Sequence, residues 1–328
     1  MNIRLSVQNT VHLVTAMMLL WPASIARSQQ TKTSIDYTPY TGDGLPLVRL
    51  DINEGPRGNF VIDTGSSSTV ISDDMAARLH LKIHPLVGTD GHPHILNGKQ
   101  AMGDDVTILF GGLKFTGPVF VVPTARLQAT RDVLIDGLIG HDLLSHMAVL
   151  FDFRNHRISA WFPGGLTPEE ISSLQLRDQV TIEMSPKLDG CVVPVVINGS
   201  IHIEMRIDTG GGATNIPANT AKELKLKANK SGIHSSTIFG PMITSQAVVD
   251  RLEIGALALT NENVEYAKRD GQMFQARLGM NTIGRYVLLI DYPAKRVYFA
   301  TGATVVADSG TEFKIDIGKY LRPTKNGR

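Results

Sequence analysis

A mainly β fold made of two copies of one module is predicted for this chain by three observations. An Asp-Thr-Gly turn occurs twice, glycine and proline recur throughout, and the apolar runs are short and strand-like. The turns lie in FVIDTGSSSTVIS, Phe60 to Ser72, and MRIDTGGGATNIP, Met205 to Pro217. With 31 Gly and 16 Pro in 328 residues, turns are frequent enough to favour strands over long helices. With Asp63 set on Asp208 and no gaps, Ile62 falls on Ile207, Thr64 on Thr209 and Gly65 on Gly210. The match runs on through Thr69 and Thr214, Ile71 and Ile216, Ala76 and Ala221, to Lys82 and Lys227. So extended a repeat marks two diverged units rather than a coincidence of three letters.

A second block agrees. If the later half has six fewer residues, Gly140 falls on Gly279, Asp152 on Asp291, Arg157 on Arg296 and Ile158 on Val297. Between the blocks, FGGLKF (Phe110 to Phe115) corresponds to IGALAL (Ile254 to Leu259). Each unit is then ~130 residues, an ordinary domain size.

The elements of the first unit can be taken in order. LVRLDI and NFVID form a hairpin whose second strand ends at the Asp-Thr-Gly turn. Ser72 caps a short helix, with Asp73 and Asp74 in its first turn and Met75, Ala76 and Leu79 on its apolar face. VTILFGGLKF and PVFVVP are strands around a Gly-Gly turn, HDLLSHM is a short helix, and VLFDF with HRISAWF is a closing hairpin. The second unit repeats this order from VVPVVI to RVYFA. FPGGLTPEE, Phe162 to Glu170, joins the units. Its Thr167, Pro168 and Glu170 have the pattern of a capped helix start.

The N-terminus has the form of an export signal. Arg4 is followed by the apolar run VHLVTAMMLLWPASIA, with small residues at Ser24 and Ala26 before a cut after Ala26 or Ser28. The run is shorter than the ~20 residues that span a bilayer and contains Pro22, so no stable membrane span is expected after cleavage. The expected organisation is a signal peptide at 1–28, an N-terminal lobe at 31–164, a C-terminal lobe at 165–302 and a solvated tail at 303–328. The expected location is a bacterial periplasm or the secreted fraction. Cys191 is the single cysteine, so the fold has no internal disulfide, and its apolar surroundings CVVPVVI make it a buried, inert thiol. The formal charge of +1 provides no basic field for nucleic acid.

The chemistry lies in the repeated turns. A carboxylate at the end of an apolar strand is partly desolvated, which raises its pKa, and two such groups face to face cannot both ionise cheaply. Asp63 and Asp208 are therefore expected to share one proton, with one acting as base and the other as acid. Such a pair can take a proton from water while giving one to a carbonyl oxygen, as metal-free peptide hydrolysis requires. Gly65 and Gly210 allow the tight turn. Thr64 and Thr209 are placed to hydrogen-bond across the pseudo-twofold axis.

With these residues the chain resembles the retropepsin and pepsin superfamily of aspartic peptidases, in particular its bacterial exported members with two retropepsin-like units. The resemblance runs from about Leu45 to Phe299. It implies a bilobal acid-protease-like fold, mainly β, with two pseudo-twofold-related β-barrel lobes and short helices. It also implies an aspartic-type endopeptidase with Asp63 and Asp208 as catalytic dyad, supported by Thr64, Gly65, Ser66, Thr209, Gly210 and Gly211. In the family a later apolar-apolar-Gly packs under each turn. Here that role falls to Leu138, Ile139 and Gly140, and to Arg277, Leu278 and Gly279. The implied partner is a peptide or protein substrate lying extended in the cleft of a monomer, with no cofactor and no metal.

Three residues depart from the pattern. Gly211 lacks the hydroxyl that Ser66 can offer Asp63, which places the shared proton mainly on Asp208. Arg277 replaces an apolar residue and is expected to loosen its lobe. Asn215 stands where the first unit has Val70. The segment from His84 to Gly103, expected to form the flap, lacks the pepsin-like tyrosine. These features motivate an alternative, a catalytically silent peptide-binding protein of the same fold. Other signals are set aside. His92-Pro93-His94 has no accompanying ligand cluster, Ser66-Ser67-Ser68 is not a nucleophile elbow, and Gly210-Gly211-Gly212 lacks the lysine of a phosphate loop.

Overall fold

The hairpin expected from LVRLDI and NFVID forms as the antiparallel strands Leu45–Ile52 and Arg57–Ile62. The computed structural model describes residues 31–40, 43–86, 101–127, 133–186, 190–237, 240–267, 276–303 and 311–314. The N-terminal signal, most of the flap segment (87–100) and His92-Pro93-His94 lie outside them.

From this hairpin the first lobe builds a closed barrel. Leu45–Ile52, Arg57–Ile62, Gly137–Ile139, Val70–Ser72, Leu113–Val122 and Ala101–Phe110 pair in that order. The last strand returns to the first through Asp51 opposite Leu109 and Ile52 opposite Ile108. Side chains alternate across these strands. Val48, Leu50, Phe60, Ile62 and Phe115 consequently fill the barrel and are almost wholly buried.

The second lobe follows the same plan with one change. Lys230–Thr237, Gly240–Ile254, Val192–Ile197, Ile201–Ile207 and Arg277–Leu278 pair in order, with Leu257–Ala267 beside Gly240–Ile254. The counterpart of Val70–Ser72 is not a strand here. Asn215 makes isolated bridges to Glu265 on one side and Arg277 on the other. A single residue thus takes the place of a three-residue strand.

The hairpins expected to close each unit form, and they also pair with each other. Ala148–Asp152 with Arg157–Phe162, and Val287–Asp291 with Arg296–Ala300, merge into one six-stranded sheet shared by the lobes. Thr31–Asp36 and Val180–Glu183 flank it. At its centre Leu150 stands opposite Leu289, its own repeat equivalent, so the pseudo-twofold axis passes between them. The sheet is apolar on both faces. Val149, Phe151, Leu288 and Ile290 join the main core, whereas Ala148, Leu150, Trp161, Leu289 and Tyr298 pack with Leu166 and Leu174 around the helix Pro168–Ser173.

The short helices match their sequence signals. Ser72 Oγ accepts from Met75 N at 3.0 Å at the start of Asp73–Arg78. Thr167 and Glu170 form the full capping box. The helix expected over HDLLSHM is one turn, His141–Leu144, because Met147 already bridges to Gly164 and Ala148 enters the shared sheet. The tail also departs from expectation. Thr311–Lys314 runs parallel to Leu113–Thr116, so this part of 303–328 belongs to the first lobe's sheet. Among the described residues no helix is long and apolar enough to cross a membrane.

Candidate active site

Each Asp is placed by a parallel pair of strands. Ile62 lies beside Ile139 and Ile207 beside Leu278. The ladder continues into the turns, where Asp63 N donates to Ile139 O and Asp208 N to Leu278 O, both at 3.0 Å. These strands hold the two carboxyl-bearing residues at matching positions of the two lobes.

The following glycine packs under each turn. A Cβ on Gly140 would run into the backbone of Ser68, and one on Gly279 into that of Ala213. Gly140 N donates to Thr69 Oγ1 at 3.1 Å, and Gly279 N to Thr214 Oγ1 at 3.0 Å. Leu138, Ile139, Gly140, Leu278 and Gly279 are all buried at these turns.

The turns are then locked to each other. Thr64 Oγ1 donates to Ile207 O at 2.8 Å and accepts from Thr209 N at 3.1 Å. Reciprocally, Thr209 Oγ1 donates to Ile62 O at 2.6 Å and accepts from Thr64 N at 3.2 Å. Both threonines are fully buried. The expected contact across the axis is present, and it goes to the opposite backbone as well as to the other hydroxyl.

This lock brings the carboxyls of Asp63 and Asp208 within hydrogen-bonding reach of each other. The approach leaves no room at the glycines. A Cβ on Gly65 would stand 2.5 Å from the Asp208 carboxyl, and one on Gly210 would collide with that of Asp63. Asp63 Oδ1 accepts from Gly65 N at 2.8 Å and Ser66 N at 3.0 Å, while Asp208 Oδ1 accepts from Gly210 N at 3.1 Å. Burial, and then the charge on Asp208, push Asp63 up to about 7 against the pull of its two backbone donors.

Two sequence expectations change here. Ser66 Oγ donates to Ser68 O at 2.8 Å, so Ser66 supports Asp63 through its backbone N–H and not its hydroxyl. Arg277 does not loosen its lobe. Its Nη1 donates to Asp208 Oδ2 at 2.9 Å, its Nε donates to Asn215 Oδ1 at 3.1 Å, and its backbone exchanges two hydrogen bonds with Asn215. The cation pairs with Asp208 and not with Asp63, which favours the negative charge on Asp208, opposite to the expectation drawn from Ser66.

Sequence reasoning missed a further pair of supports. The buried Asp142 carboxylate accepts from Thr69 N at 2.8 Å and from its hydroxyl at 2.7 Å. Asn281 does the same for Thr214, at 2.8 and 2.9 Å. The signal was present: both lie two residues after the paired glycines and face threonines already matched by the repeat. Cys191 is fully buried and its thiol is pushed up by desolvation, which agrees with an inert role.

Fold and site together define a two-lobed β protein in which each lobe gives one carboxyl to a shared pair. A family model described as aspartyl protease matches residues 48–143 and 193–282, one stretch in each lobe. These matches cover more than half of the chain, and the chain belongs to the aspartyl protease family. A comparison with curated proteins finds no match.

Proposed function

We propose that this protein is an aspartic-type endopeptidase, with Asp63 and Asp208 activating a water in the cleft between the lobes. The observation that carries the reading is the carboxyl pair itself, one group from each lobe, joined across the reciprocal Thr64–Thr209 lock. In the working state Asp208 is the carboxylate and Asp63 carries the proton. The water gives a proton to Asp208 as its oxygen attacks the peptide carbonyl, and Asp63 gives its proton to the carbonyl oxygen. Collapse of the resulting gem-diol breaks the C–N bond, and the amine leaves with a proton returned through the pair. An extended peptide would add its backbone to cleft strands as a further strand. The chain would work as an exported monomer, as the N-terminal signal pattern and the presence of both carboxyls in one chain suggest.

The Arg277 ion pair favours one second reading, a silent peptide binder of the same fold, because a guanidinium already occupies one oxygen of the base. Incubating mature protein with a mixed peptide library between about pH 3 and pH 8, with and without a statine-type inhibitor, separates the two. Inhibitor-sensitive cleavage supports the peptidase. Inhibitor binding without cleavage supports the binder, and neither result would remove both.

A further inference from the structure

Two of the three departures from the family pattern lie at Asp208 Oδ2, and the third holds one of them in place. Arg277 Nη1 donates to Asp208 Oδ2 at 2.9 Å. Asn215 holds that guanidinium by Nε at 3.1 Å, and the two residues are bridged through their backbones. A Cβ on Gly211 would lie 2.7 Å from the same Oδ2, so the carboxylate takes up space that a side chain at 211 would use. In the first lobe the equivalent positions are Ser66, Val70 and Leu138, and Val70 opposite Leu138 is a buried apolar pair with no charge to offer Asp63.

We propose that Arg277, clamped by Asn215, is a positioning residue that fixes the dyad's negative charge on Asp208 and its proton on Asp63. Two carboxyls in matched surroundings share a proton without preference. A guanidinium hydrogen-bonded to one of them removes that equivalence, and it stabilises the singly ionised pair against full protonation in acid. Gly211 belongs to the same device, since it leaves Oδ2 free to turn toward the cation.

Other charged and titratable groups are arranged around the pair. Across the axis is Asp63, whose charge reaches the buried hydroxyl of Tyr292, and Tyr292 in turn has Cys191 and Arg206 beside it. His141 packs on the Tyr292 ring at 5.2 Å. Glu265 bridges to Asn215 through its backbone and uses its carboxylate to accept from Thr244 Oγ1 at 2.8 Å. Asp43 approaches Gly212. Of these groups, Arg277 is the cation hydrogen-bonded to the dyad.

The inference rests on the dyad reading above, so it is tested by two readouts on the full mature chain. The first is the pH–rate profile of kcat/KM. Arg277→Leu, which installs the first lobe's residue, should raise the acid limb by about one to three pH units. Arg277→Lys, which keeps a charge but loses the planar fork, should bring the limb back toward wild type. The second is a carboxyl NMR titration of the same proteins without substrate, in which the lower titration step of the pair should rise in Arg277→Leu and fall back in Arg277→Lys. An acid limb and lower step unchanged in Arg277→Leu would overturn the proposal, as would a Lys variant indistinguishable from Leu. If wild type cuts nothing, the peptidase reading fails, and the titration still decides the role of Arg277. If Arg277→Leu does not fold, wild type against Arg277→Lys and Asn215→Val carries the same comparison, with a rise in the lower step expected for the unclamped Asn215→Val.

Discussion

Asp63 and Asp208 occupy equivalent places in the repeat, yet their surroundings make them unequal. Asp63 faces Asp208 and two backbone N–H groups, whereas Asp208 has one such donor and a guanidinium. Replacing either by Asn should reduce cleavage at least about 100-fold, because an amide neither accepts the water's proton nor donates an acidic one. Stability should separate the two variants. Asp63→Asn removes a group that faces a like charge and should leave the protein as stable as wild type or more so at neutral pH. Asp208→Asn leaves Arg277 without its counter-ion and should cost about 1–3 kcal/mol, measured by urea unfolding. The pH dependence follows from the same residue. Asp63 titrates at about 7 in the folded chain against an ordinary 3.8, so it binds its proton more tightly folded than unfolded. Its contribution to stability is complete below about pH 4 and is lost as pH rises through about 7, with a slope of up to about 1.4 kcal/mol per pH unit. Urea midpoints across that range should fall less steeply for Asp63→Asn than for wild type, and equal slopes would count against the raised value.

At the scale of elements, the shared six-stranded sheet and its covering helix connect the lobes. Leu289 is fully buried opposite Leu150 at the axis, on the face covered by Leu166 and Leu174. Leu289→Ala should cost about 2–5 kcal/mol in chemical denaturation through lost burial and the cavity left behind. The cap at Thr167 contributes less. Thr167→Ala breaks the capping box of Pro168–Ser173 and should cost about 1 kcal/mol, with faster amide exchange in that helix. Exchange unchanged there would mean that packing alone holds the helix.

The whole molecule behaves as a fused dimer of its own repeat. A chain of residues 29–164 would expose the strand Ala148–Asp152, which otherwise pairs with Val287–Asp291, and would leave Thr64 without its partner Thr209. Such a half should either lack activity or act only as a dimer that sets Leu150 against a second Leu150. Sedimentation run beside a cleavage assay checks this, and activity from a strictly monomeric half would remove the shared-pair model.

Much of this was legible in the chain itself. The strand-ending Asp63 and Asp208 and the Ser72 and Thr167 caps rest on local spacing, whereas the Thr64–Thr209 contact and the glycines under the turns were legible through the repeat register. What the sequence could not decide were the distant contacts that the repeat does not carry. That Arg277 extends to Asp208 and that the two closing hairpins merge into one sheet depend on where the packed lobes set their side chains. The repeat shows that Arg277 and Leu138 are equivalent positions. Only the folded molecule shows that a longer, charged side chain at that position extends as far as the dyad, because reach and direction are properties of packing and not of order along the chain.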